Sequence, residues 1–478
     1  MRPSESIGED PIFTPLRFRN LTVKNRILRS SISGRWDNED GSPTQTRLNW
    51  ESKFARGGVG AIITSFVPVA IEGRIAANYA TNHRDAFIPL WARIAEAVHA
   101  HDCRFIMQLS HSGRQMDVPG VTNQHRPVAS PTNARETLHG FPTQAMTPGE
   151  IGILVEKFGR AAWRAREAGC DGVELHAANG YLFTQFLSSG INDRTDHYGG
   201  SLPNRARFLL EVIRSIRCHV GRDFHLQVKL SAVDRNNVIP WEKKGNTIDE
   251  TIEVARYCQA AGVDAIHVST GSLFPHPLNP PGDLSLETLA VVYDAMIASG
   301  LYGLRNFLLF RYPALRPIFR WLWFRMKKGH GIEGISLEEA RQFKQALAIP
   351  VLVTGGFQTA SVVRQALASG QCDGVAIARS LIANNDLPRQ WQAGHDRPAN
   401  PCTYCNKCLV NAAKNPLGCY EEQRFPDRDA MLAALYSIYA TKPYLVIPGA
   451  DPSGSSPAPA VANPPRATRK RTPPHPVS

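Results

Sequence analysis

Three groups of residues have types and spacing suited to chemistry. His176, Asn179 and Tyr181 follow one another within six residues, directly after the short apolar run Gly172 to Leu175. At the C-terminal end of a strand, two hydrogen-bond donors and a phenol can hold a carbonyl oxygen and deliver a proton. The competing reading is an ordinary loop with a satisfied histidine. A second group lies in the turns Val353-Thr-Gly-Gly-Phe357 and Ala376-Ile-Ala-Arg-Ser380. Gly355 and Gly356 let backbone N–H groups approach a phosphate, and Arg379, beside Ala378, adds charge; many non-redox barrels share such an anchor. The third group is C-x2-C-x2-C-x10-C, formed by Cys402, Cys405, Cys408 and Cys419. Three thiolates on a tight loop and a fourth from further along suit a [4Fe–4S] cluster, with zinc and free thiols as the alternatives.

The elements that must position these groups follow from hydrophobic periodicity and from glycine and proline stops. Strands are expected at Ile27 to Ser33, Ala61 to Phe66, Arg104 to Leu109, Gly172 to Leu175, His225 to Leu230, Ala265 to Val268, Val351 to Thr354 and Gly374 to Ile377. Helices are expected between them at 45–56, 86–99, 148–168, 203–219, 247–261, 337–347 and 360–368. This alternation predicts an α/β fold, a closed (β/α)8 TIM barrel over residues 10–400. An open doubly wound sheet is the alternative, but its G-x-G-x-x-G fingerprint is missing after the first strand.

Two additions interrupt the pattern. An insertion at 283–335 follows the sixth strand, and a cysteine-rich segment at 401–450 follows the barrel. Residues 451–478, rich in Pro, Ser, Ala and Arg, are expected to form a disordered tail. Within the insertion, Arg316, Arg320 and Lys327 are expected on one helical face and Phe319, Leu322, Trp323 and Met326 on the other. A basic amphipathic helix of this kind suits peripheral contact with an anionic membrane through 305–328. A lid or a subunit contact over the barrel mouth competes with that reading.

The formal charge of +12 is concentrated. Seven cations and no acid lie between Gly300 and Ile332, and Arg466, Arg469, Lys470 and Arg471 face only Asp451 in the last stretch. The nearly neutral remainder gives no case for nucleic-acid binding. No secretory signal is expected in the polar, acidic first ten residues, and no apolar run reaches the roughly 18 residues of a membrane span. Nine cysteines, five of them scattered, argue against a secreted disulfide framework and for a reducing cytoplasm, with the inner membrane face as the candidate surface.

The run His176-Ala-Ala-Asn-Gly-Tyr-Leu182, the loop Asn192-Asp-Arg-Thr-Asp-His-Tyr-Gly-Gly-Ser201 and the stretch Asn204-Arg-Ala-Arg-Phe-Leu-Leu-Glu-Val-Ile213 together resemble the signature of the old yellow enzyme family of FMN-dependent NAD(P)H:flavin oxidoreductases. The resemblance implies FMN as cofactor and NAD(P)H as reductant. Asn25-Arg26-Ile27 resembles the start of the family's first strand, so Ser31, Ile32 and Ser33 would lie beneath the flavin, with Ser33 near O4. Gln108 matches the glutamine that pairs with the pyrimidine edge, and Lys229 the basic residue near N1, where charge stabilises the reduced ring. A locally satisfied strand end and a core salt bridge are their respective alternatives. His176 and Asn179 resemble the pair that holds the substrate's carbonyl or nitro oxygen. Tyr181 matches the phenol that protonates the α-carbon; at an ordinary pKa of about 10 it yields its proton only to a developing carbanion. Ser31 stands where the family commonly has proline, Phe66 where it has a small residue at the flavin, and Lys229 where it often has arginine.

The cysteine cluster resembles the one following the barrel in the dienoyl-CoA reductase and trimethylamine dehydrogenase branch. Relatives there continue into dinucleotide-binding domains; none is expected in the residues after Cys419. The resemblance implies hydride transfer from reduced FMN to an activated alkene, with a small-molecule substrate and a shared site for both half-reactions. A flavin and iron–sulfur dehydrogenase or demethylase acting on an amine is the alternative within the fold, and a membrane-surface or interaction protein on a barrel scaffold is the alternative outside it. No local pattern selects NADH or NADPH, the substrate or the oligomeric state.

Overall fold

The computed structural model describes residues 10–115, 128–137, 140–235, 245–273, 276–297, 301–327 and 329–439. The expected tail, the end of the cysteine-rich segment and Lys328 lie outside them. Eight parallel strands form the centre: β1 Ile27–Arg29, β2 Ala61–Ile63, β3 Arg104–Ser110, β4 Gly172–Ala177, β5 His225–Ser231, β6 Ala265–Ser269, β7 Val351–Thr354 and β8 Gly374–Ile377. Each pairs with the next in chain order, and β8 returns to β1 through Val375 opposite Ile27, so the sheet closes on itself. The (β/α)8 barrel expected from the sequence is present. β1 and β2 are shorter than expected. Past Arg29 one bond, Ser30 N to Ile377 O (2.9 Å), continues the ladder before the chain turns out over the barrel mouth.

Helices α1 Gln45–Arg56, α2 Ile88–His99, α3 Pro148–Glu167, α4 Leu202–Val220, α5 Ile248–Ala260, α6 Leu337–Ala346 and α7 Ala360–Ala368 cover the outside. The start of α3 is fixed by a capping box between Thr147 and Glu150, with Pro148 at its first position, and Thr147's counterpart Thr247 does the same with Glu250 at α5. Ile151, Leu154, Phe158, Ala161, Ala162 and Ala165 form the buried stripe of α3. Phe158 packs on Phe183, which stacks on Phe208 of α4. Full burial of a side chain such as Phe158 contributes roughly 1.5–3 kcal/mol.

One buried ionic network joins β1 to α1. Arg29 pairs with Glu51, while Arg47 pairs with Asp37 (Nε to Oδ1, 2.9 Å) and donates to Ser65. All five are buried, and Asp37 also accepts from Ala80 N (2.9 Å), so the network pins the loop leaving β1. A charged set of this kind holds geometry because removing one member strands the others.

The insertion after β6 contains helices at Leu286–Val292, Gly303–Arg311 and Arg316–Lys327. The faces of the last are not those the periodicity predicts. Arg320 pairs with Glu287 (2.9 Å), and Trp323 Nε1 and Lys327 Nζ both donate to Gly282 O (3.0 and 3.1 Å). The side toward the body therefore mixes cations with Phe319 and Trp323, while Ile318, Trp321, Leu322 and Phe324 point outward. Leu322, expected beside Phe319 and Trp323, is on the outer side. Among the described residues no helix is long and apolar enough to cross a membrane.

Candidate active site

Parallel register builds the barrel interior in layers. Gln108, Glu174 and Gln227 are partners across β3, β4 and β5, and one step toward the mouth Lys229 is the partner of both His176 and His267. Glu174 is the hub of the lower layer. It accepts from Gln108 Nε2 (2.7 Å), Gln227 Nε2 (2.5 Å) and His267 Nδ1 (2.8 Å), and His267 Nε2 accepts from the Thr354 hydroxyl (2.6 Å). Burial alone would push the Glu174 carboxyl up, but His267, Lys229 and Gln108 outweigh it and hold it at about 2. Burial pulls Lys229 down from its ordinary value, and the Glu174 carboxylate opposes that fall. The sequence reading missed Glu174, Gln227, His267 and Thr354; the signal was an acid inside an otherwise apolar strand.

Two buried acceptor or donor atoms in these layers have no partner among the described residues: Gln108 Oε1 and His176 Nδ1. Because Gln108 spends its N–H on Glu174, its carbonyl oxygen is the atom left to face a ligand. Burial, reinforced by Lys229, keeps the His176 pKa well below 6.5, so the ring is neutral at pH 7. His176, Tyr181 and Phe66 form an aromatic triangle, with centroids 4.8, 4.9 and 6.0 Å apart. Tyr293 and Met296 of the insertion join the same apolar cluster, a contribution the sequence reading missed. Ser33 accepts from Phe66 N (2.9 Å), Ser31 is half-buried beside it, and Ile32 packs into the core.

Asn179 and Arg379 are turned elsewhere than expected. Asn179 has φ +61°, and its amide donates to Thr270 O (3.1 Å) and Ser269 Oγ (3.3 Å) at the end of β6. Gly355 and Gly356 follow β7, with Gly356 at φ +70° and its carbonyl accepting from Tyr404 (2.5 Å). Ala378 starts the short helix Arg379–Ala383. The Arg379 guanidinium donates to Asn406 (2.5 Å) and lies over the Tyr404 ring (5.4 Å). In the present arrangement it reaches the cysteine segment.

Cys402, Cys405, Cys408 and Cys419 line one small cavity of about 20 Å3, together with Arg379 and Arg424. The loop turns through two left-handed residues, Tyr404 (φ +56°) and Asn406 (φ +58°), and Asn406 is tied to Asp283 O (2.9 Å). Arg424 Nη1 lies 3.1 Å from the Cys419 sulfur. Burial raises the Cys402 and Cys405 thiols and carries Cys408 to about 12. Among the described residues no three His, Cys, Asp or Glu side chains are grouped closely enough to hold a single ion.

The closed barrel carries polar strand ends, an aromatic wall and a buried cation at its mouth. Residues 11–281 match the model of the NADH:flavin oxidoreductase / NADH oxidase family, the old yellow enzyme family, and the chain belongs to it. An NADH oxidase of Thermoanaerobacter brockii is 30% identical over 426 residues, 86% of this chain and 57% of the relative. A multifunctional alkene reductase/demethylase of Caballeronia cordobensis is 27% identical over 94% of this chain and 58% of its own. An NADPH dehydrogenase of Halalkalibacterium halodurans is 33% identical over 62% of this chain and 84% of its own. Among solved structures, a 2-naphthoyl-CoA reductase superposes with a TM-score of 0.68 at 25% identity, covering 86% of this chain and 56% of that one. The chain spans a little over half the length of the relatives named first.

Proposed function

We propose that the chain binds FMN at the barrel mouth and acts as an NAD(P)H-dependent ene-reductase. The observation that carries the reading is the pair of partnerless buried atoms, Gln108 Oε1 and His176 Nδ1, beside the buried Lys229 and the Phe66–Tyr181 wall. A planar heterocycle with N–H and carbonyl edges fits this donor and acceptor set. When bound, FMN supplies hydride transfer between NAD(P)H and the β-carbon of an activated alkene. Gln108 orients the ring's pyrimidine edge through its fixed acceptor oxygen, and Lys229 places positive charge where the reduced ring gains negative charge. Ser31, Ile32, Ser33 and Phe66 line the ring's surroundings. Gly355, Gly356, Ala378 and Arg379 would hold the phosphate, which requires Arg379 to leave Asn406. His176, neutral, donates one N–H to the substrate oxygen, with Asn179 beside it once its amide leaves Thr270 O. Tyr181 delivers the proton to the α-carbon.

The cavity at the four cysteines supports a second cofactor. A zinc ion bound at about 2.3 Å gathers its sulfurs around one point, whereas a [4Fe–4S] cluster spreads its cysteines wider. Four thiols in the C-x2-C-x2-C-x10-C spacing line one small cavity, and that spacing supports the cluster. Cys402, Cys405, Cys408 and Cys419 would ligate it, and Arg424 would offset its charge. With a cluster present, oxidation of an amine donor becomes the competing chemistry.

The test is the visible spectrum and iron content of anaerobically purified protein before and after NADH or NADPH. Flavin bands that bleach with either nucleotide, then recover on adding an enone, are the expected result. A colourless protein that cannot be reconstituted with FMN would overturn the reading.

A further inference from the structure

The insertion joins the site to the surface by a chain of packed apolar side chains. Tyr293, which shares a cluster with Tyr181, lies 5.2 Å from Phe310; Phe310 lies 5.5 Å from Phe319 of the helix Arg316–Lys327. The opposite side of that helix carries the outward Ile318, Trp321 (58% exposed), Leu322 and Phe324 (43% exposed). The preceding helix adds Leu304 and Leu308 (57% exposed). Side chains of this size are costly to leave in water, and so many on two adjacent helices mark a contact surface.

Charge decides what the surface meets. Residues 300–332 hold seven cations and no acid. The exposed Arg325 sits over the Trp321 ring at 5.2 Å, so positive charge flanks the outward aromatics, while Lys327, 4.7 Å from the Phe324 ring, is held by Gly282 O. A second copy apposed through this face would set these cations against their own counterparts. An anionic bilayer takes both parts at once: its headgroups pair with the cations, and its acyl boundary accepts the rings.

We propose that the insertion docks on an anionic membrane surface and that the enzyme's substrate is a lipophilic, membrane-partitioned enone or enal, which reaches Tyr181 along the aromatic route. The surface assignment stands on the insertion itself; the substrate class rests on the reductase reading above. It departs from the amphipathic reading of the sequence as to which apolar side chains meet the surface: Ile318, Trp321, Leu322 and Phe324 are outward, and of the expected set Phe319, Leu322, Trp323 and Met326 only Leu322 is among them.

The experiment uses the full chain loaded with FMN and two vesicle preparations, phosphatidylcholine alone and phosphatidylcholine with phosphatidylglycerol. Co-sedimentation is measured at low salt, alongside turnover of trans-2-hexadecenal held in the vesicles and of water-soluble 2-cyclohexenone. Wild type should bind the anionic vesicles, and Trp321→Glu with Phe324→Glu should weaken that binding by at least about tenfold. Turnover of the long enal should fall in parallel while that of cyclohexenone stays within about twofold. Charge reversal at the exposed Arg311 and Arg325 is the second variant; it keeps every aromatic side chain and should weaken anionic-vesicle binding. Absence of wild-type binding, or equal binding by wild type and both variants, would overturn the proposal. So would a variant that only converts a larger species to monomer in sedimentation, which would assign the face to a second copy. Vesicle binding that depends on Trp321 and Phe324, in a protein that reduces neither the enal nor the enone, would refute the reductase reading and the substrate class while supporting the surface.

Discussion

Replacing Glu174 by glutamine should damage both stability and flavin binding, and the structure sets the size. The carboxylate receives three buried donors, from Gln108, Gln227 and His267. A glutamine oxygen can serve two of them, and its NH2 then faces the third, donor against donor. One unsatisfied buried donor and the lost counter-charge for Lys229 together cost about 3 kcal/mol. Gln108 is also released to turn its NH2 toward the mouth, which should weaken FMN binding by about tenfold. Urea unfolding of the apoprotein and fluorescence titration with FMN measure the two effects. The pH dependence gives a further check. With its carboxyl depressed from 4.5 to about 2, Glu174 contributes stability that is present above pH 4.5 and lost as pH falls through about 2. The wild-type advantage over Glu174→Gln should therefore shrink across that window. A loss under about 0.5 kcal/mol at pH 7, with FMN affinity unchanged, would refute the hub assignment.

Two other predictions follow from single residues. Tyr181→Phe keeps the packing against Phe66 and His176 but removes the phenolic proton, so stopped-flow should show enone reduction slowed by about a hundredfold and flavin bleaching by NAD(P)H unchanged. Burial pushes the Asp234 carboxyl up from 3.8 to about 6, so wild type loses stability as pH rises through that range, by up to about 3 kcal/mol. Its advantage over Asp234→Asn in urea unfolding should shrink from pH 4 to pH 6, the opposite direction to Glu174.

The barrel was legible because its signals are local. Each strand is a short apolar run followed by a turn and a helix with its own caps, as at Thr147 and Thr247. The ends of β1 and β2 were not, since nothing in Ser30 to Ser33 records where the neighbouring strand stops offering hydrogen bonds. Glu174 was unreadable as a hub because its partners come from three other strands and meet only through register. The orientation of the helix Arg316–Lys327 depends on acceptors elsewhere, Glu287 and the carbonyl of Gly282, which turn its cations inward. Arg379 was placed at the right strand end, but its contact with Asn406 depends on a segment folded back from beyond the barrel.

Closure of the sheet has a consequence for how the protein is made. Arg26, at the foot of β1, donates to Asp373 O (2.9 Å) across 347 residues of chain, and β1 gains its second neighbour only when β8 arrives. On the ribosome the first strand must wait, one edge bare, for most of the chain to emerge. During that interval the growing half-barrel presents apolar β-branched edges to its surroundings, the condition in which chaperones are recruited and aggregation begins. Substitutions that slow synthesis or loosen β8 should thus lower yield in cells more than they lower the stability of the finished molecule.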